Sequence, residues 1–418
     1  MSTQAADASE PALDEVRDVS FADPAFLKDP WSSLARLREE APVFYSKNQG
    51  GWIISRHDDV RAAYADRRLS SARGDQLFRG MPAELRKQLE AVRSFSELNV
   101  NRLDGPDHTR IRVLTLKAFS GATIRKVEGF IGEVVEEVLD QCERKREFDF
   151  TQLVGAVLPT RVMQRLFDLP DEYRPLLFEL ASNFTAASSA ATVTPELLLQ
   201  LDLSIRTMND VFNAFIPLRE KDPGDDLIST MVHARDGLNK LSNAEMLAQL
   251  QGMVVAGAET TAHTLATQLV RVAGSAELQD RLRSDPSCAF ALTTELLRYP
   301  GTVKCMTRYA GEDIEIRGRA IAKGDLVWIM NAGANTDARV FDDPFTTDID
   351  RPNLNESMAF GPGLHFCVGH MLARTELTEF LKRAFRRFNI EILQTDFEMT
   401  PSYIFYGYRA LNVRFTKR

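Results

Sequence analysis

The stretch Phe360-Gly361-Pro362-Gly363-Leu364-His365-Phe366-Cys367-Val368-Gly369 constrains this chain more than any other. Three glycines and a proline in ten residues exclude a helix or strand interior, so a tight, shaped loop is expected. A helical pattern follows from about His370 to Phe388. Its apolar positions Leu377, Phe380, Leu381, Ala384, Phe385 and Phe388 share one face. Cys367 sits just ahead of that helix, where the positive end of the helix dipole and loop N–H groups favour a thiolate. Such a thiolate is a nucleophile, a metal ligand or an inert core thiol, and a core thiol needs no glycine cage.

Composition narrows the class. The 418 residues are 44% hydrophobic and 26% charged, an ordinary globular balance. No linker, fixed-period repeat or block of like charge divides the chain. The expectation is a polar, disordered tail over 1–18 and one domain over 19–418. A net charge of -8 argues against a nucleic-acid partner. No apolar run reaches the roughly eighteen residues of a membrane span, and the start lacks the basic and apolar regions of a signal peptide. A soluble, cytoplasmic protein is expected. Cys142, Cys288, Cys305 and Cys367 show no paired spacing, so neither a disulfide framework nor a zinc site is indicated.

Four further stretches carry chemistry. In Leu103-Asp104-Gly105-Pro106-Asp107-His108-Thr109-Arg110-Ile111-Arg112, Pro106 suits a first helical turn, and His108 and Arg112 then share a face. Two cationic donors so placed hold an anion between them or form a solvated basic face. Ser242-Asn243-Ala244-Glu245 is a capping box opening the longest helical pattern, through about Ala273. Midway along it, Ala256-Gly257-Ala258-Glu259-Thr260-Thr261 replaces core leucines with small and polar residues. Gly257 costs about 1 kcal/mol against alanine there. Small residues admit a flat object or a close helix crossing, and a threonine can take the carbonyl one turn back and open the helix slightly. Glu295 and Arg298 lie three apart and can pair. Val303-Lys304-Cys305-Met306-Thr307-Arg308 reads as extended after Pro300. The remainder is mainly helical. Short strands are expected at 43–45 with 52–54, at 312–330 and at 411–415; 70–98 reads as irregular, and 186–193 as a mobile lid or a plain surface connection.

The cysteine loop resembles the haem-binding loop of the cytochrome P-450 superfamily, F-G-x-G-x-H-x-C-x-G, at every fixed position. The other stretches resemble, in the family's order, its D-x-P-x-H-x-x-x-R, A-G-x-D/E-T and E-x-x-R motifs. Thr336, in Ala334-Asn335-Thr336-Asp337, departs from the family's A-N-R-D. The resemblance implies a mainly α fold: a large helical region, a smaller β-rich region, and haem between the long central helix and the cysteine loop. It implies Cys367 as the axial thiolate of haem b, iron protoporphyrin IX. By the same resemblance Phe360, Gly361, His365 and Gly369 shape the loop, and Ala256 and Gly257 give haem its second face. His108, Arg112 and Arg308 then hold propionates. Glu259 and Thr260 are the acid–alcohol pair delivering protons, and Glu295 with Arg298 is a buried structural pair. Val303, Lys304, Ile404 and Phe405 are placed at the substrate pocket.

The activity implied is monooxygenation of a mid-sized hydrophobic molecule by hydroxylation or epoxidation. A monomer is expected, with electrons from NAD(P)H reaching it through a ferredoxin or flavodoxin and its reductase. Arg110, Lys117 and Arg374 are candidate docking cations or ordinary solvated surface. Alternatives are a peroxide-driven peroxygenase or a haem-thiolate isomerase or dehydratase of the same fold and, from another class, a haem-based sensor. Lys304 departs from the usual neutral filling. It turns to solvent or a propionate, or it meets an acidic substrate group.

Overall fold

A single helix, Asn243–Ala273, forms the axis of the fold. Its start is fixed by the capping box: Glu245 N–H donates to Ser242 Oγ at 3.3 Å, and Ser242 N–H donates to Glu245 Oε2 at 2.8 Å. With 31 residues it runs about 46 Å, far enough to cross the molecule. Leu250, Val254, Leu265, Leu269 and Val272 are all buried, so it is apolar on several sides, as a central helix must be. The computed structural model describes residues 20–72, 78, 81–119, 121–189 and 193–418, with backbone alone for 121–128 and 188–189. The expected tail at 1–18 lies outside the described residues, as do 190–192 of the expected lid.

Helices Glu90–Leu98, Val157–Leu166, Arg174–Ser189, Pro195–Lys221 and His370–Arg387 pack on the central helix. The last of these carries the cysteine loop at its N-terminus. It also packs along Gly121–Lys145, where Arg383 and Arg387 meet Glu136, Asp140 and Glu143. A five-stranded sheet stands beside the helices in the order Val43–Ser46, Gly51–Ile54, Leu326–Ile329, Met306–Ala310, Leu69–Ser70. Its one parallel pair sets Gly51 opposite Leu326. A three-stranded sheet joins Glu147–Asp149, Asn412–Lys417 and Phe388–Ile392.

Two local expectations change. The stretch 70–98 contains two helices, Ala83–Gln88 and Glu90–Leu98. Ala91, Val92 and Phe95 are buried on one side of the second, so tertiary packing supplies what the Gly- and Pro-rich approach conceals. The cysteine helix ends at Arg387, because Phe388 already begins a strand paired with Lys417.

Behind the cysteine loop a buried charge cluster fixes the irregular stretch 335–351. Glu295 and Arg298 are both fully buried and paired through two bonds, Nε to Oε2 at 2.8 Å and Nη2 to Oε1 at 2.6 Å. Arg298 Nη1 also donates to the carbonyls of Asn335 at 2.8 Å and Pro344 at 2.7 Å. Arg351 Nε donates to Glu295 Oε1 at 3.1 Å, making a third member that the E-x-x-R spacing does not reveal. Thr336, where the resemblance puts arginine, accepts from Arg38 Nη1 at 3.2 Å. A guanidinium from a distant helix thus reaches that position.

Glu376, on the cysteine helix, has the opposite character. It is buried, its Oε2 has no partner among the described residues, and burial pushes its pKa well above the usual carboxylate range. Two stability outcomes follow. Glu295→Gln should cost about 3–5 kcal/mol in urea unfolding, because it strands two buried guanidinia. Removing Arg414 from its exposed pairs with Glu147 and Glu391 should leave the urea midpoint nearly unchanged. Above the ordinary carboxylate pKa the unfolded chain ionises Glu376 while the folded one keeps its proton, so stability falls as pH rises through that window. Glu376→Gln should therefore raise the melting temperature at neutral pH by an amount worth on the order of 1–3 kcal/mol. The gain should vanish toward acid pH.

Candidate functional site

The cysteine loop is built on two backbone positions that favour glycine. Gly361 has φ +63° and Gly363 φ +85°, and a Cβ on Gly363 would lie 3.1 Å from the Tyr64 carbonyl oxygen. The turn closes through Cys367 N–H to Phe360 O at 3.0 Å and Phe366 N–H to Gly363 O at 3.1 Å. Gly369 is the N-cap of the helix that follows, and His370 Nδ1 lies 3.1 Å from Cys367 O. Arg374, expected at the surface, lies with its guanidinium 4.5 Å from the centre of the Phe360 ring. Burial pushes the Cys367 thiol up, and the Gly369 N–H with Arg112 and Arg374 only partly offsets it. The expected thiolate is therefore not the resting state of the protein alone. A metal cation has to complete the stabilisation of the sulfur's charge.

Beside the loop lies a cationic edge. The rings of His108 and His365 are 4.2 Å apart, and Arg112 Nη2 donates to Phe366 O at 2.5 Å. Arg308 is buried with its guanidinium 5.6 Å from the Tyr64 ring centre. Burial, His365 and Arg112 hold His108 down to about 4, so it is neutral at physiological pH. Its Nε2 is buried without a partner among the described residues. One carboxylate enters this group: Asp104 Oδ1 is 3.6 Å from His365 Nε2. Burial opposes the Asp104 charge, yet His365, Ser70 and the N–H groups of Ser71 and Ala72 hold its pKa well below the usual range. Asp104 opens the quoted D-x-P-x-H stretch, but nothing in that pattern assigns it to His365.

The middle of the central helix presents the other wall. Ala256 is exposed although Val254 and Ala258 beside it are buried, so open interior space lies against this face. The helix is unbroken, while Thr260 Oγ1 donates to Ala256 O at 2.6 Å and Thr264 Oγ1 lies 2.6 Å from Thr260 O. Gly257 points elsewhere: a Cβ there would meet Met163 Sδ at 3.1 Å. Burial raises Glu259, and Ser182 Oγ donates to its Oε1 at 3.4 Å. His263 Nε2 stands 3.5 Å from Glu259 Oε2. His263 is held down to about 4 by burial and by Lys304, and is therefore neutral. The Glu259-x-x-x-His263 spacing was the available signal for this contact.

Val303 and Phe405 form a β-bridge, and Lys304 N–H donates to Ile404 O at 2.7 Å, which brings the expected pocket segments together. The Lys304 side chain is placed differently from either expectation. It is fully buried, donates to Ser402 O at 2.8 Å, and lies 5.5 Å from the Phe26 ring centre. Burial lowers it to about 8. Strand alternation explains the change: in an extended segment Lys304 points to the face opposite Val303.

These residues fit a flat cofactor with a metal centre and an anionic edge. A half-buried thiol lacks a cation, a helix face is open where alanine stands, and the buried Nε2 of His108, beside three other basic side chains, has no partner among the described residues. Haem meets all three.

The family model for cytochrome P-450 matches residues 73–287 and 290–404. The polyketide biosynthesis cytochrome P-450 PksS of Bacillus subtilis is 32% identical, over 94% of this chain and 97% of the relative. The 6-deoxyerythronolide B hydroxylase of Saccharopolyspora erythraea is 30% identical, over 87% and 90%. The solved structure of PksS superposes with a TM-score of 0.84 at 29% identity, covering 96% of this chain and all of that one. This chain belongs to the cytochrome P-450 family and is a haem-dependent monooxygenase.

Proposed function

We propose that this monooxygenase inserts one oxygen atom of dioxygen into a mid-sized hydrophobic substrate, by hydroxylation or epoxidation, with electrons from a separate protein. The observation that carries this reading is the open face at Ala256 bordered by Glu259 and Thr260. Two electrons and two protons enter per turnover, and the second oxygen atom leaves as water. Haem, when bound, supplies the activation of dioxygen.

The chain's own residues divide the remaining tasks. Cys367 Sγ holds the metal, with the Gly369 N–H, Arg112 and Arg374 favouring its charge. Arg112, Arg308, His108 and His365 hold the propionates. Thr260 gives its hydroxyl proton to Ala256 O, so its lone pairs face the open space as acceptors. Glu259, whose pKa is raised by burial, passes protons inward, while Ser182 donates to one of its oxygens and the neutral His263 ring lies near the other. Val303, Ile404 and Phe405 shape the apolar wall against water.

Electrons come from NAD(P)H through a ferredoxin or flavodoxin that docks over the cysteine loop. Arg110 and Lys117 are already paired with Glu245 and Asp236, so the docking contacts are sought instead around exposed Leu364 and Phe366. The named relatives make polyketide-like compounds the first class to screen.

Cys367→Ser should abolish turnover and remove the thiolate signature from the reduced carbonyl spectrum. A variant with unchanged spectrum and output would refute the assignment of the ligand. With a surrogate ferredoxin and reductase, Thr260→Ala should continue to consume oxygen while product per oxygen falls about a hundredfold, the missing electrons appearing as peroxide. Undiminished coupling would remove Thr260 from proton delivery, and efficient turnover on peroxide alone would favour the peroxygenase.

A further inference from the structure

Arg102 is a partly buried cation without a counter-charge among the described residues. Its backbone is fixed to the central helix. Asn99 Nδ2 donates to Ala248 O at 3.0 Å, Val100 N–H donates to Gln249 Oε1 at 2.9 Å, and Gln249 Nε2 donates to Leu98 O at 2.7 Å. Arg102 N–H closes the turn on Asn99 O at 2.8 Å. The guanidinium carbon lies 5.7 Å from the Phe184 ring centre, and Phe184 meets Phe95 at 5.6 Å. Two residues before Phe184, Ser182 bonds Glu259; two residues after Arg102, Asp104 reaches His365. Arg102 and Phe184 thus each lie two residues from a contact of the candidate site, Arg102 from Asp104–His365 and Phe184 from Ser182–Glu259.

Its surroundings define what it lacks. Arg102 keeps partial exposure, yet burial alone pulls its pKa below the usual arginine value. Its partly exposed side chain packs on Phe184 and leaves polar atoms open to a ligand. Among the described residues no carboxylate pairs with it, and its guanidinium makes no hydrogen bond. A guanidinium offers five donors in a planar fork matched to a carboxylate, and burying it unpaired is costly.

We propose that Arg102 binds a carboxylate carried by the hydrophobic substrate, which orients the apolar part toward Thr260. The proposal rests on the monooxygenase reading above. A haem propionate has the same chemistry, but His108, Arg112, Arg308 and His365 already serve that edge, and none of them acts on the Arg102 charge. A keto or ester oxygen accepts hydrogen bonds but does not balance the charge.

The test uses holoenzyme and ω-(imidazol-1-yl)alkanoic acids of stepwise increasing length, each beside its methyl ester and the plain 1-alkylimidazole. The imidazole anchors on haem iron whatever the tail, and the Soret shift gives the dissociation constant. At the chain length that spans the two points, the acid should bind about ten- to a hundredfold tighter than its ester. Arg102→Met should erase that preference and leave the plain alkylimidazole unchanged; Arg102→Lys should retain part of it. Equal binding of acid and ester at every length overturns the proposal, and so does a preference surviving in Arg102→Met. Faster loss of haem to apomyoglobin in Arg102→Met, with acid and ester weakened alike, reassigns Arg102 to the propionates. A wild-type protein whose Soret band no alkylimidazole shifts overturns the monooxygenase reading as well, which separates the two failures.

Discussion

Burial of the Cys367 sulfur opposes the charge that its function requires. The loop offers the Gly369 N–H, and Arg112 and Arg374 stand near, but the thiol is still pushed up. A bound metal reverses that balance, because a cation bonded to sulfur favours the thiolate directly and releases its proton. The same logic extends to the cationic edge. His108, Arg112, Arg308 and His365 face one partnered carboxylate, Asp104, and the first three are lowered by burial. An anionic edge on the cofactor stabilises every one of them. Cofactor binding is thus coupled to the stability of this fold, and holoprotein is the form in which its charges balance.

Three buried carboxylates show how partners set the state of an acid. Glu295 accepts from Arg298, Arg351 and the Asp348 N–H, so a fully buried carboxyl group has donors on both oxygens. Among the described residues Glu376 finds no partner at Oε2, and burial pushes its pKa well above the usual carboxylate range. Glu259 stands between them: a hydroxyl touches one oxygen and a neutral imidazole lies near the other, while burial holds the pKa up. An acid that must release and regain protons belongs in that intermediate setting. Glu295 has its oxygens taken by fixed donors, and Glu376 has no hydrogen-bond partner to exchange with among the described residues.

Local rules wrote much of this into the chain. The capping box at Ser242 and Glu245 sets the start of the central helix in sequence and structure alike. Gly361 and Gly363 announce the loop because their φ values suit few other residues. The E-x-x-R spacing places Glu295 beside Arg298 because one helical turn does so. What stayed hidden depends on contacts between distant segments. Arg351 reaches Glu295 across 56 positions, Arg38 reaches Thr336 across 298, and the clamp of Asn99 and Val100 on the central helix spans 149. No period or cap encodes such pairings.

Lys304 and Arg102 show the same limit from the side of specificity. The sequence singles out Lys304 as a cation near the pocket segments and gives Arg102 no signal of its own. Geometry decides otherwise. Lys304 follows Val303 in an extended segment, so alternation sends its ammonium to the Ser402 carbonyl and the Phe26 ring. There one carbonyl and a ring face partly compensate a charge that burial already weakens. Arg102 lies on a short turn with no such alternation, and its direction follows from the bonds that pin Asn99 and Val100 to Ala248 and Gln249. One backbone parity and one side-chain clamp therefore determine which cation is left open to a ligand. A change at Gln249, remote from any substrate atom, would alter that direction as surely as a change at Arg102 itself.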